Sequence, residues 1–265
     1  MGGVGSPRER TPPGGDWLDV GRPLLIAHRG GQRGERENTA AAFAQAAALG
    51  VDILECDVRR TADGALVLIH DAHVLVGGRR RAVAATTLAE LRAALPELLT
   101  LDEFLAGFGG AQPINLDLKA TGFEAEVADA LRRHDAVARV LVSSVHAWSL
   151  RRLRRTLPEL RVGLSRGHLA SRPRGRALQT AAVWWLRLTL LPAVLPARWL
   201  AGARAVMLQH RVVTPWLVRA LRWRGHRVFA WTVDDPAEAA RVVRAGVDGI
   251  ASNVPWVVRP AIDGP

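Results

Sequence analysis

Short apolar segments recur along the chain, and most are followed by a segment whose apolar residues repeat at helical spacing. The apolar segments predict eight β-strands, at residues 24–28, 52–58, 114–118, 139–143, 161–165, 205–209, 227–232 and 249–252. The helical segments between them are residues 39–49, 122–134, 147–156, 214–224 and 236–245. A further strand at 65–69 and helix at 87–95 predict a small insertion after the second strand.

Strands that alternate with helices are typical of a parallel sheet with helical crossover connections. With about 240 residues in the folded part, a closed (β/α)₈ TIM barrel of the α/β class fits better than a doubly wound sheet. We therefore predict one barrel domain over residues 23–265, preceded by a disordered Gly/Pro-rich leader at 1–22. This leader lacks the hydrophobic core of a signal peptide, so we expect a cytoplasmic protein.

Composition narrows the function classes. The 265-residue chain has one cysteine, Cys56, which excludes an internal disulfide framework and Cys-rich zinc sites. No Gly-x-Gly-x-x-Gly or Walker pattern follows a predicted strand, which weighs against a nucleotide cofactor. The apolar run at 181–196 is shorter than the roughly 20 residues of a spanning helix and is not predicted to cross a membrane.

The net charge of +11 is regional. Residues 160–233 hold 13 of the 36 basic residues and no acidic residue, which leaves 23 basic against 25 acidic residues elsewhere. The same stretch carries six of the nine tryptophans. A general affinity for polyanions therefore does not follow from the total charge.

Polar side chains gather where the predicted strands end. The second strand ends in Glu55 and Asp57, and the third ends in Asp117 and Lys119. Because side chains alternate along a strand, residues at i and i+2 point to the same face. Three carboxylates that converge without cysteine suit a hard cation with oxygen ligands, Mg²⁺ or Ca²⁺.

Each motif also has a purely structural interpretation. A Glu-x-Asp pair at a strand end is more often a solvated turn or a salt-bridged pair, and His70 before Asp71 could cap a turn or lie in the core. The joint pattern favours function, because rare residues fall within or beside these motifs. They are the single lysine, Lys119, and two of the three asparagines, Asn38 and Asn115.

The motifs in this order resemble the glycerophosphodiester phosphodiesterase family. The resemblance spans residues 24–255 and rests on IAHRGG at 26–31, ENT at 37–39, Glu55-x-Asp57, His70-Asp71, NLDLK at 115–119, WTV at 231–233 and GVDGI at 246–250.

The resemblance implies a metal-dependent phosphodiesterase that releases glycerol 3-phosphate and an alcohol from glycerophosphodiesters, the deacylated phospholipids. It implies that one divalent cation, Mg²⁺ or Ca²⁺, is held by Glu55, Asp57 and Asp117. His28 would act as the base and His70 as the acid. In this family the glycerol hydroxyl beside the phosphate is thought to attack first, and water then opens the cyclic phosphate.

The resemblance also assigns the side chains around the substrate. Arg29 and Lys119 would bind the phosphate, Trp231 would line the pocket, and Glu37 would support the histidine end. One position departs from the family, because Asp117 stands where Glu is usual and is one methylene shorter. This difference leaves the identity of the metal open.

The Trp- and Arg-rich stretch has two interpretations. Its helices could pack outside the barrel with their arginines in solvent, or residues 166–204 could dock on an anionic membrane. Docking would suit a lysophospholipase D that acts on lysophospholipids. A distant alternative is a basic barrel that binds nucleic acid without activity, but no reader motif is present and no specific nucleic acid is expected as a partner.

Overall fold

The predicted (β/α)₈ TIM barrel is confirmed in the computed structural model, which describes residues 17–110, 112–166, 181, 183–187, 189, 190, 192, 194 and 200–263. The strands are β1 (Leu24–Ala27), β2 (Ile53–Arg60), β3 (Leu66–Leu68), β4 (His73–Val76), β5 (Arg79–Ala82), β6 (Ile114–Leu118), β7 (Val140–Ser144), β8 (Arg161–Arg166), β9 (Ala205–Gln209), β10 (Arg227–Trp231) and β11 (Gly249–Ser252).

Eight of these strands close into a parallel barrel. Their order is β1-β11-β10-β9-β8-β7-β6-β2, and β1 pairs in parallel with both β11 and β2. The predicted insertion follows β2: β3 pairs antiparallel with β2, and β4 and β5 form a separate hairpin. All carboxyl ends of the barrel strands therefore meet at one end, which we call the carboxyl end of the barrel.

Helices cover the outside of the barrel. They are α1 (Ala40–Ala48), α2 (Leu88–Ala94), α3 (Leu101–Phe108), α4 (Glu124–Arg133), α5 (Ala147–Thr156), α6 (Pro215–Trp223), α7 (Pro236–Arg244), α8 (Pro255–Val258) and α9 (Pro260–Asp263). Side-chain caps begin several of them. Thr214 accepts a hydrogen bond from the Leu217 N–H ahead of α6, and Asp235 does the same for Glu238 ahead of α7.

The barrel interior consists of an apolar and a polar part. Alternate strand residues point inward, and an apolar cluster there contains Leu24, Ile26, Ile53, Leu141, Ala205, Met207, Phe229 and Ala251. Further along the same strands the inward positions become polar: Glu55 and Asp57 follow Ile53, and Ser143 follows Leu141. The polar groups therefore lie toward the carboxyl end.

Trp17 and Leu18 close the opposite end of the barrel. Both are buried in the interior apolar cluster, and the Trp17 indole N–H donates to the Ala138 carbonyl at 3.0 Å. This part of the predicted leader thus belongs to the folded domain, because the indole covers apolar surface that would otherwise face water. The disorder predicted for residues 1–16 lies outside the described residues.

Several local features differ from the sequence-based prediction, which did not include the β4–β5 hairpin or the short helices α8 and α9. The first strand ends at Ala27, because Arg29 takes a left-handed φ of 55° and residues His28–Gly30 form a 3₁₀ turn. The hydrophobic spacing also misses α3. The signal for this helix is a capping box, in which the Thr100 side chain accepts from the Glu103 N–H and the Glu103 side chain accepts from the Thr100 N–H.

The segment proposed to meet a membrane, residues 166–204, falls largely outside the described residues. Residues 183–187 within it are helical. Among the residues that the structure does describe, no helix combines the length and apolarity needed to cross a bilayer.

Gly249 tests the packing at the junction of β1, β10 and β11. A Cβ at this position would lie 2.7 Å from the Leu24 carbonyl oxygen and 2.8 Å from the Phe229 ring. We expect Gly249→Ala to lower the free energy of unfolding by about 1–3 kcal/mol through overpacking. Gly107→Ala in α3 is the control, because a Cβ there meets nothing within 4 Å and should raise helix stability. Equal urea midpoints for the two variants would contradict this packing.

Candidate active site

Three carboxylates converge at the carboxyl end of the barrel. Glu55 and Asp57 lie on β2, and Asp117 lies directly opposite Asp57 on the neighbouring strand β6. One oxygen from each carboxylate lies within 4.8 Å of the others. Glu55 and Asp57 are 4% and 0% exposed, so most of this charge is removed from water.

Burial and mutual repulsion act differently on these groups. Burial, and then the neighbouring Asp57 charge, raise the pKa of Glu55 well above its usual range. Burial would also raise the pKa of Asp57, but attraction to Lys119 and Arg29 outweighs it and lowers that pKa. Two basic side chains thus hold the central carboxylate in its charged form.

Lys119 joins two of the carboxylates. Its Nζ lies 2.9 Å from Asp57 Oδ1 and 2.5 Å from Asp117 Oδ2. Burial opposes the charge on Lys119, but Asp117 and Asp57 raise its pKa above the ordinary value. The Ser143 hydroxyl donates to the other oxygen of Asp117 at 2.9 Å. Asp117 therefore takes part in the cluster although its side chain is one methylene shorter than that of glutamate.

Arg29 contacts the cluster from the turn after β1. Its backbone N–H donates to Glu55 at 2.8 Å, its Nε lies 3.0 Å from Asp57, and its Nη1 donates to Glu37 at 3.0 Å. The turn is tight, since a Cβ on Gly30 would lie 2.9 Å from the Ala42 Cβ. Glycine at this position allows the turn to aim both the amide and the guanidinium of Arg29 at the carboxylates.

Asn38 supports the Asp57 carboxylate. Like Arg29, it has a left-handed backbone conformation, with φ of 59°. Its side-chain amide donates to Asp57 Oδ2 at 3.2 Å, and its carbonyl oxygen accepts from the Asp57 N–H at 3.3 Å. Asparagine tolerates this backbone conformation better than most residues. The rare asparagine therefore supplies both a backbone conformation and a hydrogen bond.

His28 is oriented by residues from the other end of the chain. Its Nδ1 lies 2.7 Å from Asn253 Oδ1, and the Asn253 amide donates to Asp234 at 2.8 Å. Because the amide nitrogen faces Asp234, the amide oxygen faces His28 and Nδ1 carries the proton. Nε2 is then the basic atom, 3.9 Å from Glu55. Burial, and then the Arg29 charge, lower the pKa of His28 and favour its neutral form.

His70 lies on the polypeptide that follows β3. Its backbone carbonyl accepts from Arg59 Nε at 2.8 Å, and its Nδ1 lies 2.8 Å from the Asp71 carboxylate. A cavity of about 120 Å³ is lined by Glu37, Asn38 and His70, among other residues. Among the described residues, Asp71 contacts the imidazole through Nδ1, and no hydrogen bond is made by Nε2.

The structure brings most of the predicted site residues into one set of contacts. Three of them contact the carboxylate cluster directly: His28 contacts Glu55, and Arg29 and Lys119 contact Asp57. Glu37 contacts Arg29. Trp231, half-buried at the end of β10, lies at the same end of the barrel.

The sequence-based prediction gave no role to Asn253, Asp234 or Ser143. Ser143 ends the predicted strand 139–143, and Asn253 follows the last predicted strand, so both belong to the polar residues at the strand ends. No local pattern marks Asp234.

The donor set fits a divalent cation. All three members offer carboxylate oxygens, the ligands preferred by Mg²⁺ and Ca²⁺. Asp57 Oδ1 is buried and contacts Lys119 Nζ at 2.9 Å, which uses one of the two lone pairs of this oxygen. An oxygen in that position has a lone pair available for a metal ion.

Comparison with known proteins agrees with this geometry. Residues 28–257 match the model of the glycerophosphoryl diester phosphodiesterase family. A glycerophosphodiester phosphodiesterase of Caldanaerobacter subterraneus subsp. tengcongensis is 30% identical over 252 residues, covering 88% of this chain and 95% of that protein.

Two solved structures share the fold. One is of a Silicibacter pomeroyi protein assigned to the glycerophosphoryl diester phosphodiesterases, with a TM-score of 0.75 and 26% identity over 93% of this chain and 95% of that one. The other is an Oleispira antarctica phosphodiesterase in complex with the product sn-glycerol-3-phosphate, with a TM-score of 0.71 and 24% identity over 92% of this chain and 98% of that one.

The surroundings of His28 predict its titration. In the metal-free protein we expect its NMR titration midpoint to lie below the ordinary value of about 6.5, since the folded state favours neutral imidazole. The urea-denatured protein provides the reference near 6.5, so folding is expected to lose stability as pH falls below that value. In Arg29→Gln the midpoint should rise because a repelling charge is removed. A folded midpoint at or above 6.5 would contradict this assignment.

Proposed function

The chain belongs to the glycerophosphoryl diester phosphodiesterase family of phosphoric diester hydrolases, and from this premise we propose that it hydrolyses glycerophosphodiesters to glycerol 3-phosphate and an alcohol. The observation that carries the proposal is the convergence of Glu55, Asp57 and Asp117 within 4.8 Å. The glycerol 3-phosphate bound to the Oleispira antarctica relative supports the choice of product.

The three carboxylates would hold one divalent cation, Mg²⁺ or Ca²⁺. When bound, such a cation stabilises the negative charge that develops on the phosphoryl oxygens. Arg29 and Lys119 already lie against this cluster and would bind the remaining phosphate oxygens. Glu37 pairs with the outer edge of the Arg29 guanidinium and would keep it in place. Trp231 would cover the organic part of the substrate.

His28 would act as the base. Its Nδ1 proton is committed to Asn253, so Nε2 would accept the proton of the glycerol hydroxyl beside the phosphate. The hydroxyl oxygen then forms a bond to phosphorus as the bond to the leaving alcohol breaks. A water molecule would then attack phosphorus, the bond from phosphorus to this glycerol oxygen would break, and His28 would return its proton to the oxygen to give glycerol 3-phosphate.

His70 would act as the acid in the first step. The leaving alkoxide is a poor leaving group unless it receives a proton, and His70 Nε2 would donate it. The Asp71 carboxylate at 2.8 Å from Nδ1 would hold the orientation of the ring. In the second step the same ring would take a proton from the attacking water.

Lysophospholipids are a second candidate substrate class, and exposed tryptophans favour them. Trp184 and Trp185 are 54% and 65% exposed, and the Arg187 guanidinium lies 5.1 Å from the Trp184 ring centre. The connection that carries them leaves β8 at the carboxyl end of the barrel. Peripheral contact with an anionic membrane through residues 166–204 would bring lysophospholipids to that end.

One assay tests the substrate and the metal together. We expect release of glycerol 3-phosphate from glycerophosphocholine, loss of this activity in EDTA, and recovery with Mg²⁺ or Ca²⁺. Calorimetry should show that Asp117→Asn weakens binding of the same ion, a readout independent of turnover. Full activity in EDTA would contradict the metal requirement, and a higher kcat/KM on lysophosphatidylcholine would favour the second substrate class.

A second prediction tests the acid. His70→Ala should lower kcat on glycerophosphocholine by about 10²–10⁴-fold. The loss should shrink on the 4-nitrophenyl diester of glycerol phosphate, because nitrophenolate leaves without protonation. His134→Ala is the matched control, since this histidine follows α4 and pairs with Asp102 on the outer surface. An equal loss on both substrates would mean that His70 is not the acid.

A further inference from the structure

We propose that the barrel docks on an anionic phospholipid membrane with the part of its carboxyl end that surrounds β7, β8 and β9. This contact extends beyond residues 166–204 to the loops that follow β7 and β9, and it fixes an orientation of the barrel. It rests on the proposed function only in the choice of a lipid surface, because the substrate would be derived from lipids. The opening of the active site would then face the membrane.

The connection after β7 presents an exposed indole bordered by positive charge. Trp148 lies in the first turn of α5 and is 66% exposed, while Leu150 is buried. The Arg151 guanidinium lies 5.3 Å from the centre of the Trp148 ring. Val145 is also exposed, and its carbonyl accepts from Arg166 Nη1 at 2.7 Å. This connection is therefore held against the end of β8, where Arg166 lies.

The connection after β8 adds two more indoles at the same end. Trp184 and Trp185 are exposed on a helical segment, whereas Leu190 of the same segment is buried in the core. Arg187 Nη2 donates to the Arg211 carbonyl at 2.8 Å. Since Arg211 lies in the 3₁₀ turn directly after β9, this bond holds the segment at the carboxyl end of the barrel.

The connection after β9 repeats the arrangement. Trp216 lies in the first turn of α6 and is exposed, while Leu217 next to it is buried. Because β7, β8 and β9 are neighbours in the barrel, their three connections lie side by side. Single apolar side chains are normal on a surface, but a group of them at one edge indicates a contact site. We call this surface the tryptophan edge, and it comprises Trp148, Trp184, Trp185 and Trp216 with Arg151 and Arg211.

The charge of the tryptophan edge favours an anionic partner. Residues 136–233 hold 18 arginines and one carboxylate, Glu159, which precedes β8 at the amino end. Asp234 and Asp235 follow β10 and limit the surface on that side. A second copy of this chain would present the same positive charge. An anionic lipid surface therefore matches the edge better than self-association does.

Both kinds of side chain suit the boundary of a bilayer. Indole combines a large apolar ring with one N–H donor, so it is stable where hydrocarbon meets water. Guanidinium groups bind lipid phosphates, and basic residues close to an anionic surface add electrostatic attraction. The contact would be peripheral, because only loops and the first turns of helices reach the lipid.

Sedimentation with lipid vesicles tests the tryptophan edge in the full-length protein, with EDTA present and no substrate. We expect binding to vesicles of phosphatidylglycerol mixed with phosphatidylcholine at low salt, and a loss of binding on phosphatidylcholine alone. Trp148→Ala should lower the partition coefficient on the order of tenfold, because its indole no longer enters the interface.

Trp223→Ala is the matched control. Trp223 is 83% exposed and has the Arg224 guanidinium 5.1 Å from its ring centre, but it ends α6 at the amino end of the barrel. The partition coefficient of this variant should equal that of the wild-type protein. Hydrolysis of glycerophosphocholine without vesicles should be unchanged in both variants, which separates a docking defect from a loss of fold or catalysis.

The proposal is overturned if wild-type protein does not bind anionic vesicles, or if Trp223→Ala weakens binding as much as Trp148→Ala. It is also overturned if Trp148→Ala weakens binding to single-stranded DNA and not to vesicles, which would indicate a nucleic-acid surface. Vesicle binding by a wild-type protein that hydrolyses no glycerophosphodiester would contradict the proposed function and leave the membrane contact in place.

Discussion

Three carboxylates held together away from water are the constraint on which the rest of the active site depends. Their mutual repulsion and lost hydration must be offset by nearby positive charge and hydrogen bonds. Lys119 and Arg29 supply the charge, and Asn38 and Ser143 supply hydrogen bonds. The left-handed turn after β1 follows from the same need, because it aims two groups of one arginine at the cluster.

This arrangement depends on how the barrel interior is divided. Ile53 and Leu141 lie in the apolar layer of the interior. Every second residue of a strand points inward, so Glu55 and Asp57 on β2 and Ser143 on β7 form a polar layer further along the same strands. The apolar layer stabilises the closed sheet, while the polar layer is held rigidly by strands on every side. Charged groups are therefore positioned by backbone pairing, which keeps the side chains of the candidate site in a fixed geometry.

The uneven charge of the chain has a structural counterpart. The acid-free stretch provides the three strands β8, β9 and β10, and arginines stand at or next to the start of each of them. These three arginines lie at the end of the barrel opposite the carboxylates.

The sequence alone indicated all eight barrel strands, most of the helices and most residues of the candidate site. Strand spacing, the i and i+2 relation of Glu55 and Asp57, and the order of the motifs are local properties, and parallel strands bring their carboxyl ends together without further information. Tertiary structure decided the contacts between distant segments. Asn253 reaches His28 across 225 positions because β11 pairs with β1 when the barrel closes.

Closure of the barrel also decided which side chains of neighbouring strands contact each other. Ser143 meets Asp117 because β7 lies beside β6 with those two residues in register. The arginines at the amino end become neighbours only once β8, β9 and β10 are adjacent. Local patterns specify which face a side chain occupies, whereas the strand register of the closed barrel specifies which side chains meet, because that register depends on every strand at once.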